Sequence, residues 1–379
     1  MTTKALVGFG TDIQGNGWWF VQSFSVVFEN ERKLTRSNPL SQSHEVQQDS
    51  LPTPSRRQFL KQASALPFAA AAAFSLASSA EAELKPIPRS GNGSFLKTSV
   101  NAYSFTKLLN AKIKHGGEGM DLYDVVDFCA KYNIDAFDAT GYFFPGYPDT
   151  PPTDKYINEL KLKAFESGVA ISGSGVRNQF TTSDKSLRDA SVAHIKQWVE
   201  IASQLGAPVL RVFADTQVRA KTWHDVAGAN TKWDEVAKWI ADDLVECAAH
   251  GEKHGVVIGV QNHGDFLRTA EDQLKLISMV NSKWCGAIVD TGYYMTPDPY
   301  VDMEKAAPYA VNWQVKQSAF GAASPIPLDM IRLFKIIRKS GYRGYVPLET
   351  LSTAGQDYDP FKVVPQYIQM IRDAIAKTA

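Results

Sequence analysis

The chain has 379 residues, of which 44% are hydrophobic, so it can bury a large core. Its 40 basic and 40 acidic side chains cancel, and the chain therefore lacks the positive field that holds a nucleic-acid backbone. The three cysteines, Cys129, Cys247 and Cys285, are too few and too scattered for a disulfide framework or a CxxC metal site. We therefore expect stability to come from packing, and we do not expect nucleic acid as a partner.

The amino-terminal part of the chain is predicted to contain a leader. Residues 1–54 lack sustained hydrophobic periodicity and are expected to form an unstructured upstream tail. Residues 55–82 are predicted to be a twin-arginine signal peptide, because Arg56 and Arg57 precede an Ala-rich apolar stretch and an A-x-A cleavage sequence at 80–82. The apolar stretch is too short to span a membrane stably. We therefore expect export to the periplasm or another extracytoplasmic compartment, without a membrane span after cleavage.

After a linker at residues 83–94, residues 95–379 are predicted to form a single domain. A short β-branched run, a loop and a helix repeat eight times in this part of the chain. Eight such units predict a (β/α)8 TIM barrel, since a doubly wound sheet usually has fewer strands and a Gly-rich phosphate turn. The strands are expected at Leu96 to Tyr103, Ala136 to Gly141, Ala170 to Gly175, Val209 to Ala214, Val256 to Asn262, Gly286 to Thr291, Ala310 to Lys316 and Gly344 to Glu349.

Two of the helices have recognisable starts. Ser186 with Asp189, and Thr269 with Asp272, have the spacing of a capping box. The helices that begin there are expected to pack on the outside of the barrel.

Polar side chains stand at the carboxyl ends of the last four strands, which is where TIM barrels carry their chemistry. Packing of apolar strands does not explain why four consecutive strands each end in polar residues. Carboxylates, amide oxygens and an imidazole around one point suit a divalent cation such as Mn²⁺ or Mg²⁺. The residues are Gln261 and His263 on the fifth strand, Asp290 on the sixth, Gln314 and Lys316 on the seventh and Glu349 on the eighth.

Other residues expected at the mouth suit a polyol ligand, because aromatic rings stack on a sugar face while amides and charges bind hydroxyl groups. For any one of the aromatic residues, ordinary loop packing is the alternative. The candidates for substrate binding, which lie on the second to sixth strands or follow them, are Tyr142, Arg177, Arg211, Asn262 and Tyr293.

The runs QNHGDF, VDTG, NWQVK and GYRGYVPLETL, in this order, resemble the sugar phosphate isomerase/epimerase family of xylose isomerase-like TIM barrels. The resemblance covers about residues 95–375. In that family, Glu, Asp, His and Glu on strands five to eight hold a metal, and the two Glu ligands also move protons. The resemblance therefore implies a metal site at Asp290, Glu349, Gln314 and Gln261, with Zn²⁺ or Co²⁺ as alternatives to Mn²⁺ or Mg²⁺. Gln261 and Gln314 depart from the family pattern.

The departure at Gln261 affects the expected reaction, because an amide cannot serve as one of the two bases of an epimerase. Glu349 remains as a base, and His263 and Lys316 are the candidates for the second catalytic group; Lys316 could also stabilise an enediolate oxygen. The expected function is a metal-dependent isomerase or epimerase that moves a proton on carbon of a keto sugar or polyol. A lyase or hydrolase acting on 3-keto glycosides, and a non-catalytic carbohydrate-binding barrel, are the alternatives.

The partner is expected to be a small-molecule sugar. Endonuclease IV-like nucleases of the same superfamily need many histidines for three zinc ions, whereas only His263 of the seven histidines here follows a strand. Export and the lack of an evident phosphate cradle at Arg177 and Lys316 favour an unphosphorylated sugar. Barrels of this family often dimerise, so the resemblance leaves a homodimer as an option, although the sequence shows no interface.

Overall fold

The computed structural model describes residues 84–219, 221–321, 324–352 and 357–379, and two strands nearer the amino terminus. These two strands, β1 (Lys4–Thr11) and β2 (Gly17–Phe24), pair in antiparallel fashion within a unit formed by residues 1–80. This differs from the unstructured tail expected for residues 1–54, and the strand-favouring aromatic and β-branched residues of both runs give the physical reason. The predicted signal peptide lies outside the described residues.

Eight parallel strands form the barrel of the second unit, residues 81–379. They are β3 (Phe95–Asn101), β4 (Ala136–Thr140), β5 (Ala170–Gly175), β6 (Val209–Phe213), β7 (Val257–Gln261), β8 (Cys285–Asp290), β9 (Ala310–Gln314) and β10 (Arg343–Leu348). The hydrogen-bonded order runs from β10 through β3 to β9, and a bridge between Val315 and Leu348 brings the two edge strands together. The predicted (β/α)8 TIM barrel is thus confirmed, as are its eight strands.

Helices lie between the strands. Their bounds are α1 (Thr106–Ile113), α2 (Leu122–Lys131), α3 (Asp154–Glu166), α4 (Lys185–Leu205), α5 (Trp223–Ala227), α6 (Trp233–His254), α7 (Ala270–Val280), α8 (Pro299–Ala306), α9 (Met330–Lys339) and α10 (Pro360–Lys377). Among the residues that the structure describes, no helix is long and apolar enough to cross a membrane.

The two predicted helix starts have different outcomes. The capping box of Thr269 and Asp272 at the start of α7 is confirmed. The pairing of Ser186 with Asp189 is wrong, because Asp184 caps α4 and accepts hydrogen bonds from the backbone N–H and the hydroxyl of Ser186. A carboxylate two residues upstream is a stronger acceptor for the first free N–H groups of the helix.

The segment predicted as a linker contacts the amino-terminal end of the barrel. The backbone N–H of Ile87 donates to the carbonyl of Pro308 (3.0 Å), and Arg343 donates to the carbonyl of Gly93 (2.6 Å). Both contacts lie at the amino ends of strands, since Pro308 precedes β9 and Arg343 begins β10. The site is therefore to be sought at the opposite end, where the strands have their carboxyl termini.

Candidate functional site

The carboxyl ends of β7 to β10 bring the expected polar side chains together. The Nζ atom of Lys316 lies 2.5 Å from Oε1 of Glu349 and 3.3 Å from Oδ2 of Asp290. Gln261 donates from Nε2 to the same Oδ2 of Asp290 (2.5 Å), and Gln314 pairs with Asp290 in the ladder between β8 and β9. All five side chains are buried. The sequence-predicted set is thus assembled, and a lysine ammonium lies between its two carboxylates.

The position of Lys316 is determined by its backbone and by a neighbouring glycine. Its backbone N–H donates to Oγ1 of Thr291 (2.8 Å). A Cβ atom on Gly292 would lie 2.9 Å from Cγ of Lys316, closer than carbon atoms pack. The VDTG run therefore needs glycine at its last position, because the lysine side chain passes directly over it.

Burial and charge act in opposite directions on the groups around this ammonium. Burial raises the pKa of Asp290 to about 6, although the positive charge of Lys316 opposes the rise. Burial would lower the pKa of Lys316, but the charges of Asp290 and Glu349 outweigh it and raise that pKa above its usual value. Lys316 is therefore a permanent cation at neutral pH.

His263 lies beside this group as a neutral ring. Its imidazole packs between Phe213, with ring centroids 4.8 Å apart, and Tyr293, at 4.1 Å. Burial, together with the positive charges of Lys316 and Arg211, lowers its pKa to about 3. His263 therefore carries no extra proton at neutral pH and is a weak base, which makes Lys316 the stronger candidate for the partner of Glu349.

Asp215 holds the loop that follows β7. Its buried carboxylate accepts three backbone hydrogen bonds, from His263 (3.0 Å), Phe266 (2.7 Å) and Leu267 (2.9 Å). A carboxylate that accepts several N–H groups can remain buried because these groups replace water. Asp215 therefore positions His263 through the backbone.

Asn262 lies at the site but turns its polar atoms to the protein. Its Nδ2 donates to the carbonyl of Asp290 (3.0 Å), and its Oδ1 accepts from the N–H of Asp290 (2.8 Å). The side chain is fully buried. This residue was expected to bind substrate, whereas in the structure it fixes the backbone of Asp290.

An aromatic and cationic wall stands on the other side of the mouth. The guanidinium groups of Arg177 and Arg211 lie 4.9 Å and 5.3 Å from the ring centroid of Tyr142. Arg211 also donates to the carbonyl of Val176 (2.7 Å), so it is held in place. Tyr103, which packs edge-on against Tyr142 at 6.1 Å, belongs to the same wall. The aromatic ring and the two cations suit a polar ring-shaped ligand.

Two residues of this end were not singled out as candidates from the sequence. The electrostatic neighbours of Tyr103 are Arg177, Glu349 and Lys316, and burial raises the pKa of its hydroxyl. Asp138 lies within β4, where burial raises its pKa to about 7, with Arg211 lowering it and Glu349 raising it further. An aspartate inside the apolar run AFDAT was the available signal, because an unpaired charge has no packing role in a buried strand.

The strand-end residues do not fit a divalent cation. Oδ1 of Asp290 accepts the N–H of Gly292 (2.9 Å), and its Oδ2 faces both Gln261 and Lys316. Oε1 of Glu349 is bound to the same ammonium. Oε1 of Gln314 has no hydrogen-bond partner among the described residues, but one neutral amide oxygen is a weak metal ligand. The expected Mn²⁺ or Mg²⁺ site at these four residues is therefore not supported by their geometry.

A second group with metal-ligand chemistry lies on the outer helices. Glu200 of α4 and His250 and His254 of α6 offer ligand atoms within 4.8 Å of one another, and Nε2 of His250 is 3.1 Å from Oε1 of Glu200. Two imidazoles and a carboxylate form a donor set that suits zinc. The four-residue spacing of the histidines on one helix is the sequence signal for this group, which was not recognised from the sequence.

Comparison with known proteins agrees with the fold. The sequence model of the xylose isomerase-like TIM barrel family matches residues 126–374. D-psicose 3-epimerase with D-tagatose from Clostridium cellulolyticum H10 is 14% identical, with a TM-score of 0.59 over 74% of this chain and 99% of that chain. The 3-keto-D-glucoside 4-epimerase from E. coli is 16% identical, with a TM-score of 0.53 over 75% of this chain and 98% of that chain.

A further solved structure, the IOLI protein with a binding zinc atom, is 15% identical, with a TM-score of 0.56 over 75% of this chain and 99% of that chain. None of the curated protein sequences matches this chain. Identities this low establish a shared barrel architecture, and any function has to be argued from the site itself.

Proposed function

This chain belongs to the xylose isomerase-like TIM barrel family, and we propose that it moves a proton on the carbon next to the carbonyl group of an unphosphorylated sugar, as an isomerase or epimerase. The contact between Glu349 and Lys316 is the observation that supports this function. A small cavity adjoins the pair, lined by Gly292, Tyr293, Lys316, Gln317, Glu349 and Leu351. The pair provides a base and, beside it, a positive charge for the oxyanion that proton removal creates.

The proton transfer would proceed in two steps. The carboxylate of Glu349 removes the proton from carbon, the electron pair of the C–H bond forms a carbon–carbon double bond, and the π electron pair of the carbonyl group moves onto its oxygen. The ammonium of Lys316 stabilises that oxygen with the one N–H that faces neither Glu349 nor Asp290. Return of the proton to the adjacent carbon, with a proton passed between the two sugar oxygens, completes an isomerisation.

Epimerisation requires a further donor, because the proton must return to the opposite face of the same carbon. Lys316 does not suit that role, because its Nζ lies 2.5 Å from Oε1 of Glu349 and therefore faces the substrate from the same side as the base. Asp138 is the candidate, since its pKa of about 7 leaves it partly protonated at neutral pH. Isomerisation on one face needs only Glu349, and the departure at Gln261 from the two-base pattern favours it.

The wall at the mouth supports a sugar as substrate. The half-buried ring of Tyr293 can stack on the C–H face of a pyranose, while the exposed Arg177 can bind its hydroxyl groups. Tyr142 and Arg211 are each only 6% exposed, and Tyr142 packs against Arg177. Two structural neighbours, the D-psicose and 3-keto-D-glucoside epimerases, are named for sugars without a phosphate group. The twin-arginine leader proposed for residues 55–82 would place the protein outside the cytoplasm, where it would meet such sugars.

The proposal is tested by incubating the protein in D₂O with aldoses, ketoses and 3-keto glycosides. We expect deuterium beside the carbonyl group with the carbon skeleton retained, and a loss of roughly 10²- to 10⁴-fold in exchange for Glu349→Gln. Glu304→Gln is the matched control, since Glu304 pairs with Lys339 on the surface. Release of an aglycone would instead indicate a lyase, and binding without exchange would refute catalysis and leave a carbohydrate-binding barrel.

A further inference from the structure

We infer that the ammonium of Lys316 takes the place of a divalent metal at the mouth of this barrel, so that the site works without one. The inference concerns the site of the proposed function. It can be tested by metal binding alone, so its failure and the failure of the proposed function are distinguishable.

The geometry assigns the cation position to Lys316. Its Nζ lies between Glu349, at 2.5 Å, and Asp290, at 3.3 Å, which are the two carboxylates that a metal would need. Distances this short leave no room for an ion between the ammonium and either carboxylate, because the metal would have to stand within about 2.0 to 2.6 Å of the same oxygens. A metal could therefore bind only after Lys316 had moved away.

The surrounding residues hold Lys316 in this position. Thr291 binds its backbone N–H, and Gly292 gives its side chain the space to cross the end of β8. The side chain is only 6% exposed, so water has little access to the ammonium. The side chain of Lys316 is thus held within the site, whereas a surface lysine can rotate into solvent.

The two glutamines are consistent with a site centred on an ammonium. The neutral amide of Gln261 donates a hydrogen bond to Asp290. An ionised carboxylate at this position, as in a metal site, could not donate one. The two carboxylates and one ammonium sum to a formal charge of −1, and the glutamines add none. Acidic residues at both positions would place more negative charge around a single monovalent cation, which burial makes unfavourable.

An ammonium can take over the role that a Lewis acid has in such chemistry. It offers three N–H donors, of which two face carboxylates and the third is available for a substrate oxygen. The ring of Tyr293, with its centroid 5.5 Å from Nζ, bounds the cavity on that side. The positive charge is fixed before the substrate arrives, which is the condition for stabilising an oxyanion without reorganisation.

The test measures Mn²⁺ binding by calorimetry and electron paramagnetic resonance on the full-length chain. Because Glu200, His250 and His254 offer a second donor set, all proteins carry His250→Ala and His254→Ala. We expect no stoichiometric Mn²⁺ in this background. Lys316→Ala should then gain Mn²⁺ binding of at least about tenfold, because the ion replaces the lost positive charge.

Two outcomes would overturn the inference. One is stoichiometric Mn²⁺ bound with Lys316 intact and lost in Asp290→Asn, a result that needs no lysine variant and holds even if Lys316→Ala does not fold. The other is a folded Lys316→Ala protein, as judged by circular dichroism, that takes up no more metal than its parent. Lys335→Ala is the matched control, since Lys335 is exposed and lies on the outer helix α9.

Discussion

Replacement of Lys316 by methionine removes the positive charge between two buried carboxylates and keeps most of the side-chain volume. Asp290 is fully buried and Glu349 is 8% exposed, so water cannot replace the lost ammonium. Removing one partner of a buried ion pair typically costs about 3–5 kcal/mol of the free energy of unfolding. We expect Lys316→Met to lose that much stability near pH 8.

The loss should depend on pH in a defined direction. The pKa of Asp290 is raised to about 6 even with Lys316 present, and it rises further when the opposing charge is removed. A carboxyl group whose pKa is higher in the folded than in the unfolded state loses stability as pH rises towards its folded pKa. The loss of unfolding free energy in Lys316→Met should therefore be smaller at pH 5 than at pH 8. For each proton that the folded state holds and the unfolded state does not, this loss changes by up to about 1.4 kcal/mol per pH unit.

Urea unfolding of the wild-type and variant proteins at pH 5 and pH 8 measures this difference. Adding Asp290→Asn to Lys316→Met should recover part of the loss, because it removes one of the two unpaired charges. Lys335→Met, on the exposed surface, should be within about 0.5 kcal/mol of wild type. A Lys316→Met protein as stable as wild type, or equally destabilised at both pH values, would refute the assignment of a buried charge triad.

Three further predictions concern other parts of the chain. Gly292→Ala should lower the free energy of unfolding by about 1–3 kcal/mol and slow proton exchange, because the added methyl group would displace Lys316. Thermal unfolding measures the loss. The control is Gly117→Ala, where a methyl group meets only ordinary contacts, and it should behave as wild type. The stability of Asp138→Asn relative to the wild-type protein should increase as pH rises from 4 to 7, because burial raises the pKa of Asp138 to about 7 and its ionisation destabilises the wild-type fold. A stability difference in urea unfolding that is the same at every pH would contradict this. Replacing Arg56 and Arg57 by lysine should abolish export in a fractionation assay, and unchanged export would exclude a twin-arginine signal.

The sequence alone was sufficient for the barrel and for the grouping of the candidate residues at one end of it. The eight strands could be predicted because β-branched runs and the loops after them are local patterns, which no distant contact has to supply. The site followed from the barrel, since the carboxyl ends of parallel strands meet at one end and bring Asp290 and Glu349 together. The start of α7 was equally local, because Thr269 and Asp272 contact each other within one turn.

The chemistry of the site was decided only by tertiary structure. Lys316 reaches Asp290 and Glu349 because of the register of three strands and the missing side chain at Gly292, and a sequence pattern specifies neither. The neutrality of His263 depends likewise on burial and on charges brought from other strands. Hydrogen bonds and pKa values depend on atoms within a few ångströms in space, and in a barrel these atoms come from residues far apart along the chain. For that physical reason the sequence predicted a metal between the two carboxylates, whereas the fold places an ammonium there.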